Sequence, residues 1–430
     1  MIAFGFLAAP LTAQQPAETL VNTRLETAHY ALFVSGVEGE AQAFGAVLEQ
    51  AWPELEKLLK GAPALENGQR LDVRVLANRD HWLQVMLSDG QIAPSAADPV
   101  WFSTANRVMY TYRQASPAFT RMMLLYGAVL QFHGLTKTKN LSLDAAWYVH
   151  GLAQTLSVHY WDGRKLELGV RPRFCMVDYP AKALAAFGGA NFVFDTKNEL
   201  RMMDPYANWA TVRFALYGAQ GKYVAKYQKL ALGYTGSRVS GADFLRSLGT
   251  ERAIGTEFHD WLVAEQYPFE IVHGEWEDHS DGRVTAQSLV DDKPAGLVTR
   301  TETAGLSFTV AGISSTTNGS RGALLAWKSA LEYVVARFEP PWVIVQYVHG
   351  GKEVDVQRFL LPNPASDVVF VELKRLPLHA RPILKDPDEW PAGTSLTIDG
   401  KAFGRIAVPE GRFGMNVCGG RAEFARISTQ

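Results

Sequence analysis

The sequence pattern changes at Tyr267-Pro268, and this change limits the folds that the chain can adopt. Before it, apolar residues recur mostly at helical spacing. After it, short alternating segments separated by Gly-rich turns predict strands. A chain of 430 residues that is 47% hydrophobic can bury more than one core. We therefore predict an α+β domain over residues 14–266 and an all-β jelly-roll sandwich over residues 267–430.

The first domain is predicted to contain a small sheet followed by a helical lobe. Alternating residues predict strands at 29–36 and 71–77, and an extended segment is expected over 100–112. An amphipathic helix is predicted between the two strands, with an apolar face formed by Phe44, Leu48, Trp52, Leu55 and Leu59. Further helices are predicted at 79–87, 205–218, 222–232, 241–248 and 251–265.

Two predicted helices in the middle of the chain carry the most informative motif. The first begins at Ser116-Pro117, because serine is a favoured N-cap and proline is favoured in the first turn. It continues through Leu124-Leu125-Tyr126-Gly127-Ala128-Val129-Leu130-Gln131-Phe132. The second contains Ala146-Trp147-Tyr148-Val149-His150-Gly151-Leu152-Ala153.

This layout resembles the active-site helices of the gluzincin zinc metallopeptidases. In that family, the first helix carries His-Glu-x-x-His, and the second carries a Trp-x-x-Glu-Gly-Leu-Ala-like run whose Glu is the third metal ligand. The resemblance places Tyr126 and Leu130 at the histidine positions, Gly127 at the catalytic glutamate and His150 at the ligand glutamate. It also implies that Gln131, Trp147 and Tyr206 lie near the cleft.

The substituted residues remove the chemistry of the motif. Histidines four residues apart on a helix can reach one zinc ion, and the glutamate between them polarises the bound water. Leu130 offers no lone pair and Gly127 offers no base, while the phenol of Tyr126 must lose a proton with a pKa near ~10. We therefore expect neither a metal, nor another cofactor, nor peptidase activity at this position.

Simpler interpretations of the same residues remain open. Met122, Leu125, Val129 and Leu130 form an apolar stripe of the kind that is usually core. His133, His150 and His159 could be imagined as a relocated metal site, but their spacing directs them to different sides of the helices. Structural or solvent-facing roles are favoured for these histidines, and His150 is retained as a candidate because of its position in the motif.

The second domain is predicted from alternating segments and turn signals. Strands are predicted at 334–338, 342–348, 354–360, 367–373, 395–399 and 404–408. Gly350-Gly351 and Asp399-Gly400 are hairpin signals. The closing stretches 411–417 and 420–424 resemble the terminal strands of a concanavalin-like lectin and glucanase sandwich.

Two groups of residues in this domain are candidates for chemistry. Paired carboxylates could support glycoside hydrolysis, but the acidic cluster around Trp276 is interpreted as a solvated strand and turn; its members are Glu275, Glu277, Asp278 and His279. Tryptophan side chains could stack on sugars or belong to the core or an interface. These are Trp276, Trp327, Trp342 and Trp390.

Composition and sequence limit the classes of partner that the chain is expected to bind and the compartment in which it is expected to act. The formal net charge of −2 argues against nucleic-acid binding, which needs a basic face, and no apolar run is long enough to span a bilayer. Residues 1–13 are predicted to be a signal peptide cleaved near Ala13, which favours secretion or a periplasmic or cell-envelope location. Whether Cys175 and Cys418 pair stays open.

Three functional hypotheses follow. The first is a secreted, non-catalytic relative of the metallopeptidases that binds an extracellular polymer or peptide. The second is a glycoside hydrolase or glycan-binding protein that acts through the sandwich. The third is a structural protein of the cell envelope. The sequence leaves the ligand and the oligomeric state undetermined.

Overall fold

The computed structural model describes residues 20–91, 99–103, 105–137, 146–194, 204–232, 240–288, 295–312, 319–376, 392–408 and 410–430. The predicted signal peptide and Trp390 lie outside these ranges. The chain divides into two compact units. The first comprises Met1–Pro172 and Asp178–Gln266, and the second comprises Arg173–Val177 and Tyr267–Gln430. Cys175 and Cys418 both fall in the second unit.

The described strands of the first unit form a mixed sheet in the spatial order β1-β2-β3-β5-β4. Their bounds are β1 Val21–Glu26, β2 Tyr30–Gly36, β3 Leu71–Leu76, β4 Val100–Ser103 and β5 Val108–Tyr112. β2, β3 and β5 are parallel, while β1 and β4 pair antiparallel at the two edges. The segment predicted to be one extended stretch is therefore two antiparallel strands, because the chain turns between them through Arg107 at φ 61°.

Helices and one small hairpin complete the first unit. The helices are α1 Glu40–Leu59, α2 Arg79–Ser88, α3 Pro117–Lys137, α4 Ala146–Ser157, α5 Tyr179–Ala186, α6 Pro205–Tyr217, α7 Val224–Leu232, α8 Gly241–Leu248 and α9 Glu251–Ala264. The hairpin consists of β6 His159–Trp161 and β7 Leu166–Leu168. Among the described residues, no helix is long and apolar enough to cross a membrane.

Sequence patterns located most of these helices. The five residues of the predicted apolar face of α1 are all buried, which confirms that prediction. Ser116 caps α3 as expected, since its Oγ accepts a hydrogen bond from the Phe119 amide at 3.0 Å. Helix α5 was not predicted, although Asp178 caps it and a proline stands in its first turn.

The described strands of the second unit form two antiparallel sheets. In chain order they are β8 Phe269–His273, β9 Glu275–Asp278, β10 Val284–Gln287, β11 Ala295–Thr299, β12 Gly305–Ala311, β13 Ser320–Ser329, β14 Glu332–Glu339, β15 Trp342–His349, β16 Lys352–Leu360, β17 Val368–Leu376, β18 Ala392–Ile398, β19 Lys401–Val408, β20 Arg412–Cys418 and β21 Arg421–Thr429. One sheet has the order β19-β18-β17-β12-β21-β10-β9, and the other, called the β16 sheet below, has the order β16-β15-β14-β13-β20-β11-β8.

Alternate residues of the two sheets bury one shared apolar core. Val371 and Phe424 contribute from the first sheet, and Ala336, Val345 and Met415 from the β16 sheet. The second unit is therefore a β-sandwich, and each of the six strands predicted in it is present with slightly longer bounds.

Candidate functional site

The helix pair identified from the sequence brings two of its motif residues into direct contact. Tyr126 on α3 and His150 on α4 are joined by a hydrogen bond, with 2.6 Å between the phenol oxygen and Nδ1. Both side chains are partly buried. Leu130 lies one turn beyond Tyr126 on the same side of α3 and is also partly buried.

Gly127 is directed instead toward strands β4 and β5. A Cβ atom built on Gly127 would lie 2.7 Å from Met109 Sδ and 2.8 Å from Val100 Cγ1. Such distances are shorter than carbon contacts in proteins allow, so the neighbours would have to move. The position that the resemblance matches to a catalytic glutamate has no room for a longer side chain.

The three histidines of the helix pair each have a separate partner. His133 is fully buried, and its Nε2 is hydrogen-bonded to the hydroxyl of Tyr148. His159, just beyond the end of α4, has its Nδ1 2.8 Å from the carbonyl oxygen of Ser157. In the described part of the chain, no group of three or more His, Cys, Asp or Glu residues could hold a metal ion.

Burial keeps two of these histidines uncharged at neutral pH. It lowers the pKa of His150 to about 4. Burial together with the positive charge of Arg121 lowers the pKa of His159 to about 4. At neutral pH the imidazole of His150 that is bonded to Tyr126 is therefore uncharged.

Gln131 secures α3 to the sheet. Its side chain is fully buried. The amide nitrogen donates to the carbonyl oxygens of Asp72 at 2.9 Å and Arg107 at 3.0 Å. This arrangement satisfies backbone groups at the strand ends, so Gln131 faces the sheet rather than the surface.

The other two candidate cleft residues contact different parts of the first unit. Trp147 is 7% exposed, and its ring centroid lies 5.7 Å from that of Phe244 on α8. Tyr206 accepts a hydrogen bond from Lys182 Nζ at 3.0 Å, near the start of α6. The structure thus joins Tyr126 to His150, while the contacts of Trp147 and Tyr206 lie with α8 and α5.

Two members of the acidic cluster of the second unit, Glu275 and Asp278, are buried, so its interpretation as a solvated strand and turn is wrong for them. Glu277 and His279 are partly exposed. Glu275 is 5% exposed and Asp278 is 7% exposed. Asp278 accepts hydrogen bonds from the amide and Nε of Arg173, at 2.7 and 2.9 Å. Burial raises the pKa of Glu275 to about 7, and Arg421 partly opposes this change. The ion pair joins residues 105 positions apart, and no local pattern indicates such a pair.

The three described members of the tryptophan group have different surroundings. Trp276 is 3% exposed and belongs to the sandwich core. Trp327 is 9% exposed and stacks on Tyr333, with ring centroids 5.5 Å apart. Trp342, at the start of β15, is 41% exposed.

Strand register shows which residues share the surface around Trp342. Directly paired residues of antiparallel strands project on one face, and successive residues alternate. Ile344 pairs with Arg337, and Val343 and Val345 point into the core. The face opposite the core, called the Trp342 face below, therefore carries Arg337, Trp342, Ile344 and Gln346.

The Trp342 face combines an exposed aromatic ring with hydrogen-bonding groups. The guanidinium of Arg337 keeps part of its surface exposed, and its Nε lies 3.5 Å from Glu339 Oε1. The Gln346 amide is hydrogen-bonded to Glu353 on β16. An indole ring provides a flat apolar surface, while guanidinium and amide groups can bond hydroxyl or carboxylate oxygens.

No protein-family model matches the chain, and no curated protein matches it. Solved structures with some likeness include a carbohydrate-binding module, CBM66, from Bacillus subtilis, with 13% identity over 38% of this chain and 95% of that chain and a TM-score of 0.29. Sheep galectin-11 in complex with glycerol is similar at 7% identity over 32% of this chain and 98% of that chain, with a TM-score of 0.23. The galectin LEC-6 of Caenorhabditis elegans shows 16% identity over 32% of this chain and 91% of that chain, with a TM-score of 0.23. Identities and TM-scores this low do not establish a family or a function for this chain.

Proposed function

We propose that the chain is a non-catalytic protein that binds an extracellular glycan through the Trp342 face of its sandwich. The observation that carries the proposal is the exposure of Trp342, which is 41% accessible on the outer side of a rigid sheet. Tryptophan is enriched at binding interfaces, because its ring offers a large apolar surface together with an N–H donor.

The neighbouring residues suit a sugar polymer. The apolar side of a pyranose ring can pack on the indole, while its hydroxyl groups need hydrogen-bonding partners at the rim. Arg337 and Gln346 supply such groups from adjacent strands. Because the site is built on paired strands, little conformational entropy is lost on binding.

The first unit is proposed to be a gluzincin-like domain that no longer catalyses hydrolysis. The support is local. A phenol–imidazole hydrogen bond occupies the positions matched to metal ligands, and Met109 and Val100 fill the space beside Gly127. Zinc-dependent hydrolysis needs a set of metal ligands and a separate base, and Tyr126, Gly127, Leu130 and His150 together do not supply them. The proposal includes export of the chain, for which the support is the apolar segment before Ala13.

The proposal is tested by affinity electrophoresis of the full chain against a panel of soluble polysaccharides. We expect at least one glycan to retard the wild type. The apparent affinity of Trp342→Ala for that glycan should be at least ~10-fold weaker, because the stacking surface is removed. Trp342→Phe should retain part of the binding. Leu331→Ala is the matched control, since Leu331 is 60% exposed at a hairpin tip of the same sheet. Equal retardation of wild type and Trp342→Ala, or none by any glycan, would contradict the proposal.

A further inference from the structure

Strand β16 forms an exposed edge of the sandwich. It stands at the end of the described β16 sheet and pairs there with β15. Three of its apolar side chains are exposed: Val354 at 55%, Val356 at 38% and Leu360 at 57%. A long exposed edge strand with apolar side chains offers unused backbone donors and acceptors to another strand.

A bulge determines which β16 side chains share a face. The register with β15 changes between Tyr347 and Val348, so that Tyr347 opposes Asp355 but Val348 opposes Glu353. Val354 is therefore the extra residue. As a result Glu353, Val356 and Arg358 all project on the face opposite the core.

We propose that β16 pairs antiparallel with β16 of a second copy of the chain, with a two-fold axis at Val356. Two-fold pairing of a strand with itself keeps like faces together, so Val356 meets its own copy. The bulge then brings Glu353 opposite Arg358 of the second copy, and the symmetry repeats this ion pair on the other side of the axis. The occupant of the edge is a second copy because the charges of β16 complement each other.

Charges on an edge strand usually prevent pairing. Here the charges are of opposite sign and are placed symmetrically about an apolar centre, so they select one register. A slip of two residues would separate Glu353 from Arg358 of the second copy and place Arg358 opposite a valine. Only one strand of each copy takes part in the pairing, and we expect a weak dimer with a dissociation constant on the order of micromolar.

Such a dimer would join the two β16 sheets into one continuous surface. Both Trp342 side chains would lie on the same side of it, separated by roughly 30 Å, given the spacing of residues and strands in a sheet. This consequence rests on the proposed glycan binding. It would give the dimer two attachment points on one polymer and a higher avidity than either site alone.

The test is sedimentation velocity of the full chain over a range of concentrations. Wild type is expected to shift from monomer to dimer, and Val356→Lys should remain monomeric because it places two ammonium groups at the axis. Val368→Lys is the matched control, since Val368 is 50% exposed on the other sheet, and it should dimerise as wild type does. A wild type that is monomeric up to ~100 µM, or a Val356→Lys variant that dimerises normally, would overturn the proposal.

A charge reversal tests the register. Glu353→Arg and Arg358→Glu should each weaken the dimer, and the double variant should restore it. Failure of the double variant to regain association would refute this register. Trp342→Ala should lose glycan binding but still dimerise, and this outcome would support both proposals. A wild type that dimerises but binds no glycan would count against the proposed function only. A wild type that binds oligosaccharides but does not dimerise would count against this inference only.

Discussion

The helix pair of the first unit and the Trp342 face of the second differ in where their polar groups point. On α3 and α4, Tyr126 bonds His150 and His133 bonds Tyr148, so these four side chains bond in pairs between the helices. On the Trp342 face, the ring of Trp342 is open to solvent. Side chains that are already bonded inside a protein have little to offer a ligand, whereas an exposed aromatic surface gains by being covered.

The largest expected effect is that of a substitution at Gly127 on α3. Replacing Gly127 with Glu would introduce the acidic residue of the metallopeptidase motif that the sequence resembles, but it would force a carboxylate between Met109 and Val100. Burying an unpaired charge in a packed core costs several kcal/mol. We expect Gly127→Glu to lower the free energy of unfolding by about 3 kcal/mol or more in urea denaturation. Ala118→Glu, at the partly exposed start of α3, should have little effect. Equal stability of Gly127→Glu and wild type would show that there is room for a longer side chain between Gly127, Met109 and Val100.

The second prediction concerns acid stability and compares the two units. His150 and His159 have pKa values lowered to about 4 from the ordinary value of 6.5, so the folded state binds fewer protons than the unfolded state. The stability that they contribute is complete above pH 6.5 and is lost as the pH falls toward 4, by about 1–3 kcal/mol for each histidine. The urea midpoint should fall over this interval, and less steeply in a His150→Gln, His159→Gln double variant. Identical slopes would contradict the assignment.

In the second unit, Glu275 should make the folding stability depend on pH in the opposite direction. Its pKa is raised to about 7 from 4.5, so the folded state holds the proton more tightly than the unfolded state. The stability that it contributes is present below pH 4.5 and is lost as the pH rises through 7. We therefore compare the free energies of unfolding of Glu275→Gln and wild type at two pH values. The difference should favour the variant more at pH 8 than at pH 5. Glu277→Gln is the control on the same strand. The same two variants address glycoside hydrolysis, because loss of sugar release in Glu275→Gln alone would support an enzyme in place of a binding protein.

The smallest expected effect is the loss of one hydrogen bond. Tyr126→Phe removes the phenol oxygen from the bond with His150 while keeping the ring. We expect it to lower the free energy of unfolding by about 1 kcal/mol and to leave glycan binding unchanged. Leu130→Ala, one turn away on the same helix, separates loss of packing from loss of the bond. A change in glycan affinity on Tyr126→Phe would mean that the helix pair takes part in binding.

Periodicity in the sequence predicted the parts of the fold that depend on local pattern. The apolar stripe of α1 and the alternating strands from β14 to β19 follow from the fixed repeat of a helix or a strand. Strand β1 was not predicted, because four of its six residues are polar and its residues are largely exposed. The pairing of the sheets brings together residues that are distant in the chain, and a single sequence gives no direct signal of it.

The candidate sites show the same division. The motif pointed to Tyr126 and His150 by position, and the structure joins them. The closure around Gly127 depends on how β4 and β5 approach α3, which no local pattern encodes. The burial of Asp278 depends likewise on Arg173. Trp342 was one of four tryptophan candidates in the predicted second domain, and its exposure followed only from its place near the sheet edge.

Hydrogen–deuterium exchange of the full chain, with and without a glycan that retards it in electrophoresis, compares the two regions directly. We predict slower exchange on glycan binding in the segment from β14 to β16, which carries Arg337, Trp342 and Gln346. Exchange in α3 and α4 should not change. Protection of α3 and α4 with no change from β14 to β16 would contradict the account, because the ligand would then bind at the helix pair, where Tyr126 and His150 bond each other.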